Sequence, residues 1–259
     1  WVITTSLICI LFGLLTFFTF INQSFISLND FNLQILLIAD LVLLVFFFTL
    51  IIYQSHKILR ERKKGKDKFY STVEKFATNC FVPLAVGGGV SCVEDFSRLL
   101  NLGADKVTLN TQAVEKPELI TSAAKKYGAQ CVVVSIDAKK INDSKYEVFT
   151  EFGTKATGLC PNDWAKQAEE FGAGEILITA IDKDGSLEGY DDELNCLVSE
   201  GVNIPVLVAG GAGKWQDFVD GIKIGKASAV CTTNIYHFTE NSISSAKQFM
   251  KQKNIHIRV

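Results

Sequence analysis

The 259 residues suffice for one large domain or two small ones, and a 48% share of hydrophobic residues excludes a disordered chain. All 26 Lys and Arg lie from Lys57 onward, whereas the first 56 residues carry two acids, Asp30 and Asp40, and nine of the 19 Phe. From Lys57 the 26 basic residues face 26 acidic ones, so this part exerts no global pull on polyanions and no nucleic-acid partner is expected.

The first predicted element is the uncharged run from Trp1 to Ile21, the length a helix needs to cross hydrocarbon at about 1.5 Å per residue. A second run, Leu33 to Tyr53, is interrupted only by Asp40, and Asn22 to Asn32 forms a polar turn between them. The pair reads as a two-helix transmembrane hairpin over residues 1–56, with buried core helices as the alternative. A cleaved signal peptide fits worse because no basic segment precedes the first run. The chain begins with Trp1 rather than Met, so its true start is expected upstream.

Lys57, Arg60, Arg62, Lys63, Lys64, Lys66 and Lys68 follow, opposed by Glu61 and Asp67. Positive charge flanking a span stays on the cytoplasmic side, so residues 57–68 read as a basic juxtamembrane linker. This predicts a membrane-anchored chain with residues 69–259 in the cytoplasm. A solvated helix end is the bland alternative.

From Phe69 short β-rich runs alternate with helical stretches. The runs are Val82 to Val86, Lys106 to Leu109, Cys131 to Ile136, Glu175 to Ile181, Val206 to Ala209 and Ala229 to Cys231. Apolar strands alternating with amphipathic helices predict an α/β fold with a parallel sheet. An internal repeat sharpens this. Pro83 to Gly89 followed by Asp95-Phe96 recurs as Pro205 to Gly211 followed by Asp217-Phe218, an offset of 122 residues. Two such halves imply a (β/α)8 TIM barrel of the phosphate-binding type. The six runs are then strands three to eight, and the first two strands are expected to be lacking, since the apolar hairpin stands where they should be.

Seven Cys, at 9, 80, 92, 131, 160, 196 and 231, form no C-x-x-C pair, which points to buried free thiols. With His56, His237 and His256 scattered, no metal site and no cofactor are expected.

Two glycine turns carry the first chemical signal. Gly87-Gly88-Gly89 and Gly210-Gly211-Ala212-Gly213 each close a strand and open a helix, where bare backbone and helix-start N–H groups can meet an anion. Their equivalent positions suggest two phosphate sites, at Gly88 and Gly89 and at Gly210 and Gly211, hence a bis-phosphorylated substrate. Tight-turn geometry is the alternative. Asn110-Thr111 and Thr233-Asn234 end the neighbouring strands and can add side-chain donors. Gly185 and Ser186, within Asp182-Lys183-Asp184-Gly185-Ser186, suit a loop folding over the second phosphate, although an Asx-turn alone would explain Asp184.

Asp137 ends the apolar run Val132-Val133-Val134-Ser135-Ile136. At the mouth of a barrel strand its carboxylate is placed for proton transfer, and an apolar surround would raise its pKa. The alternative is a helix N-cap before Ala138-Lys139-Lys140.

These motifs occur together in one family's order. Val86-Gly87-Gly88-Gly89-Val90, Gly103-Ala104-Asp105-Lys106-Val107 with Asn110-Thr111, Ser135-Ile136-Asp137-Ala138-Lys139, Gly172-Ala173-Gly174-Glu175-Ile176-Leu177, Asp182-Lys183-Asp184-Gly185 with Gly189-Tyr190-Asp191, and Gly210-Gly211-Ala212-Gly213 with His237-Phe238 resemble the cyclase subunit of imidazole glycerol phosphate synthase, the HisF family of histidine biosynthesis. The resemblance covers about Phe69 to Val259. It implies a lyase that takes ammonia from a glutaminase partner and cyclises a bis-phosphorylated aminoimidazole carboxamide ribonucleotide. Asp137 matches one of the family's two acid/base aspartates, and the strand-one aspartate has no counterpart. Lys106 and Glu175 match half of a charged ammonia gate, and Asp105 matches a partner-facing residue. The resemblance therefore implies severely reduced turnover.

Two departures fall in the second phosphate cradle. Ala209 stands where the family usually has Ser, and Thr232-Thr233-Asn234 where it usually has Ala-Ala-Ser. They fit a HisF-like paralogue in acetamidino-sugar synthesis for lipopolysaccharide. A membrane-tethered pseudoenzyme or fusion fragment is the reading from a different class.

Overall fold

A computed structural model of the protein describes residues 65–257 apart from 144, 234 and 236–242. The expected membrane hairpin, most of the basic linker, Asn234 and His237-Phe238 lie outside the described residues. Among the described residues no helix is long and apolar enough to cross a membrane.

The strands in chain order are β1 (Ala85–Gly87), β2 (Lys106–Leu109), β3 (Val132–Asn142), β4 (Lys145–Thr150), β5 (Lys155–Ala156), β6 (Glu175–Ala180), β7 (Val206–Ala209) and β8 (Ala229–Val230). The helices are α1 (residues 65–79), α2 (Val93–Asn101), α3 (Thr111–Glu115), α4 (Glu118–Tyr127), α5 (Pro161–Phe171), α6 (Asp192–Ser199), α7 (Trp215–Lys223) and α8 (Ile243–Gln252). Six strands lie side by side in the order β1, β2, β3, β6, β7, β8, every neighbouring pair parallel. The sheet is curled into a half-barrel, consistent with a TIM barrel, with β1 and β8 as its edges among the described residues.

Burial alternates along β2, β6 and β7 because successive side chains face opposite ways, and along β3 from Val134 to Ala138, while Val133 before them is also buried. Val107 and Leu109 on β2, Val134 and Ile136 on β3, Ile176 and Ile178 on β6, and Val208 on β7 are at most 1% exposed. They pack with Phe96, Leu99, Ile120, Trp164, Leu194 and Phe218 into one continuous core. Their alternates, Thr108, Asn110, Ser135, Asp137, Leu177, Thr179, Leu207 and Ala209, are only half-buried. These define the concave face, which presents the chemistry.

The internal repeat has a physical cause. Asp217 accepts hydrogen bonds from the backbone N–H of Gly213 (2.8 Å) and Lys214 (2.9 Å), and Asp95 accepts from that of Ser91 (3.0 Å), so each repeated aspartate closes a helix start. The following Phe96 and Phe218 enter the core. Asp95 also accepts from Lys66 Nζ (2.7 Å) and Tyr70 Oη (2.8 Å), which ties α1 to α2. Burial opposes its charged form, but the bonds from Lys66, Tyr70 and Ser91 outweigh that and hold the carboxyl well below the usual range.

Three sequence expectations need correction. The first strand begins at Ala85 rather than Val82, which is 68% exposed. Asp137 does not end its strand: β3 runs on to Asn142 and turns into β4, with Asp137 opposite Phe149, so the helix N-cap reading fails. The hairpin docks on the start of α6, where Tyr146 Oη donates to Asp191 (2.9 Å) and Lys140 Nζ to Glu193 (2.9 Å). The described cysteines are free thiols, but none is fully buried, and Cys160 is exposed because it precedes the first residue of α5, outside the core.

Candidate active site

Because the six strands are parallel, their C-terminal ends gather the glycine turns, Asn110-Thr111 and the Ile181 to Asp191 loop on one side. Asp105, Lys106 and Glu175 stand at the opposite end. Sequence neighbours are thus separated by strand polarity into a mouth and a floor.

At the mouth, Asp137, Thr179 and Ala209 are register partners across β3, β6 and β7, so all three point from one layer of the concave face. Thr179 and Ala209 line a cavity of about 280 Å³. Gly185, Gly210, Gly211 and Thr233 line it too, together with Asp184 and Cys231. Four residues expected at the second phosphate therefore converge. Ser186 is not among the lining residues: its hydroxyl accepts from the backbone N–H of Glu188 (3.2 Å), a local loop contact.

The glycines of this turn are demanded by two constraints at once. Gly211 sits at φ +105°, and a Cβ there would lie 2.1 Å from the carbonyl oxygen of Gly189. The turn is thereby pressed against the β6–α6 loop, and Gly189 N–H donates to Gly211 O at 2.8 Å. Gly88 and Gly89 differ: both have positive φ, +121° and +65°, but an added Cβ would meet nothing within 4 Å. Their bare surface is open.

Asn110 and Thr111, expected as donors beside Gly88, both have partners, but the Thr111 hydroxyl only accepts and keeps its proton available. The Asn110 side chain is hydrogen-bonded to Asp137. Thr111 Oγ1 accepts from the backbone N–H of Glu151 (3.1 Å), in the β4–β5 loop. Burial raises the Asp137 carboxyl above its ordinary value, the Asn110 bond lowers it, and the negative charge of Asp184 raises it again, with a net upward shift. A carboxyl raised in this way holds a proton more readily than an ordinary aspartate, which suits proton transfer.

At the floor, Lys106 Nζ and Glu175 Oε1 form an ion pair that reaches past β3, which lies between their strands. Asp105 is exposed, and its carboxylate accepts from the backbone N–H of Leu84 (2.7 Å). The Cys231 thiol is pushed up by burial and by the charge of Glu175. Sequence reasoning left Tyr190 without a role, yet its hydroxyl donates to Cys231 O at 2.9 Å. Its place in Gly189-Tyr190-Asp191, directly after the loop over the cavity, was the available signal.

Among the described residues no group of three or more His, Cys, Asp or Glu is arranged to hold a metal ion. The family model described as "Histidine biosynthesis protein" matches residues 59–242.

Proposed function

The chain belongs to the histidine biosynthesis protein family, and from that premise we propose that residues 69–259 are a cyclase-type lyase barrel within it. The substrate is a bis-phosphorylated aminoimidazole carboxamide ribonucleotide. One phosphate lies against Gly210, Gly211 and Thr233, with Asn234 beside them and the Gly185-Ser186 loop above; the other lies against Gly88, Gly89 and Thr111. Asp137 transfers the proton, at a turnover severely reduced for want of the strand-one aspartate that the resemblance pairs with it. Ammonia arrives from a glutaminase partner at the Asp105, Lys106 and Glu175 end, and cyclisation yields imidazole glycerol phosphate and the carboxamide ribonucleotide. In this reading the six described parallel strands correspond to strands three to eight of the family barrel, and residues 1–56 anchor it to the membrane with the barrel on the cytoplasmic side.

The observation that carries this reading is the arrangement across the sheet. Asp137 stands on β3, with one glycine turn on the β1–β2 flank and the other on the β7–β8 flank. A substrate with a phosphate at each end would span that distance over the carboxyl. A specific observation also favours the amidino-sugar reading: the departures Ala209, Thr232 and Thr233 all line the cavity. Isothermal titration tests the two-phosphate reading. The bis-phosphorylated nucleotide should bind in the micromolar to millimolar range usual for such sites, at least tenfold tighter than ribose 5-phosphate. Equal affinity would remove the two-phosphate reading, and no heat at millimolar ligand from a folded sample would sink phosphate binding altogether.

A further inference from the structure

We propose that Tyr190 is a positioning residue that aims the peptide N–H of Thr232 at a phosphomonoester in the cavity bounded by Gly210 and Thr233; this rests on the phosphate reading above.

Tyr190 is 7% exposed, with its ring against Phe218 (centroids 6.4 Å apart) and beside Gly221, where an added Cβ would lie 3.1 Å from Tyr190 Cδ2. A phenylalanine would serve that packing equally well. The hydroxyl does something further, donating to Cys231 O at 2.9 Å. The adjacent Gly189 N–H donates to Gly211 O at 2.8 Å. Two consecutive residues thus hold one carbonyl on each wall of the cavity.

A trans peptide points its C=O and the following N–H in opposite directions, and the described chain has no cis peptide. With Cys231 C=O turned toward Tyr190, the Thr232 N–H turns away from it. With Gly211 C=O turned toward Gly189, the Ala212 N–H does the same. Thr232 and Ala212 both line the cavity. Among the described residues strand pairing does not fix the Cys231–Thr232 peptide: β8 ends at Val230, and the last bond described on that edge runs from Cys231 N–H to Val208 O (2.8 Å). The Tyr190 hydroxyl supplies the missing constraint. Preset N–H groups bind an anion without the cost of ordering them on arrival.

The test is phosphate titration of the full chain, followed through the backbone amide resonances, for the unmutated protein, Tyr190→Phe and Phe218→Leu. In the unmutated protein inorganic phosphate should shift the Thr232 and Ala212 amides. In Tyr190→Phe affinity should fall about tenfold, the upper range for one hydrogen bond. The Thr232 response should vanish while that of Ala212 persists, since Gly189 still holds Gly211. Phe218→Leu loosens the bed of the ring but spares the hydroxyl, and it should keep affinity within twofold despite a lower Tm. An unchanged Thr232 response in Tyr190→Phe, or an equal loss of affinity in Phe218→Leu, would overturn the positioning role while leaving the phosphate site standing. Absence of any phosphate response in the unmutated protein would overturn both.

Discussion

Asn110 and Asp137, from the end of β2 and the middle of β3, meet through a side-chain hydrogen bond at the mouth of the half-barrel. The bond stabilises the charged carboxyl against the burial and the Asp184 charge that both oppose it. Removing it in Asn110→Ala should therefore raise the Asp137 pKa further. Carbon-13 titration of the Asp137 carboxyl checks this; an unchanged or lower midpoint would mean that the bond does not govern the carboxyl.

The two faces of β6 should answer differently to truncation. Ile178 is fully buried against the helices, whereas Leu177 beside it is half-buried on the concave face. Ile178→Ala should cost about 2–5 kcal/mol, the range for a truncated core residue, and Leu177→Ala about 1 kcal/mol or less. Denaturant unfolding measures both. Equal costs would show that the concave face is as closely packed as the core.

The glycine turns separate by the same logic. Gly89→Ala meets open space and bears only the cost of a left-handed backbone, about 1–2 kcal/mol. Gly211→Ala adds a collision with the Gly189 carbonyl, so it should cost more than about 3 kcal/mol or prevent folding. Comparable stability of the two variants, measured by urea midpoint, would contradict this.

Much of this division was legible in the sequence, and the places where it was not have identifiable causes. The bounds of β2 and β7 follow from short runs with abrupt ends, Lys106 to Leu109 between Asp105 and Asn110, and Val206 to Ala209 between Pro205 and Gly210. The hairpin of β3 and β4 escaped notice because its buried positions, Tyr146, Val148 and Thr150, alternate with Lys145 and Glu147 without an apolar run. Strand continuation past Asp137 depends on that partner, since Ala138-Lys139-Lys140 alone resembles a helix start. Gly185, Gly210, Gly211 and Thr233 could be grouped by their place after strands, but the Asn110 bond to Asp137 needed the register of β2 against β3. A donor assigned to phosphate from position alone is thus shared with the acid.

Asp192, in the first turn of α6, provides a pH-dependent test. Burial and then the negative charges of Asp220, Asp191 and Asp217 push its carboxyl from the ordinary 3.8 up to about 6. The folded state therefore holds the proton more tightly than the unfolded state. Stability should decline as pH rises from about 4 to about 6 and level off above that. Asp192→Asn removes the penalty, raising Tm at pH 7.5 by about 2–4 °C, equivalent to about 1 kcal/mol after screening of a partly exposed group. The gain should disappear at pH 4. A gain that is the same at both pH values would contradict the charge origin.

The central claim is that both glycine turns and Asp137 belong to one site for a bis-phosphorylated substrate. The most direct measurement is a crystal structure of the full chain with the bis-phosphorylated aminoimidazole carboxamide ribonucleotide bound. The account predicts a single ligand with one phosphate against Gly210, Gly211 and Thr232, the other against Gly88 and Gly89, and the Asp137 carboxyl beneath the atoms between them. A ligand held through one phosphate with its other end in solvent, or seated away from Asp137, would contradict it.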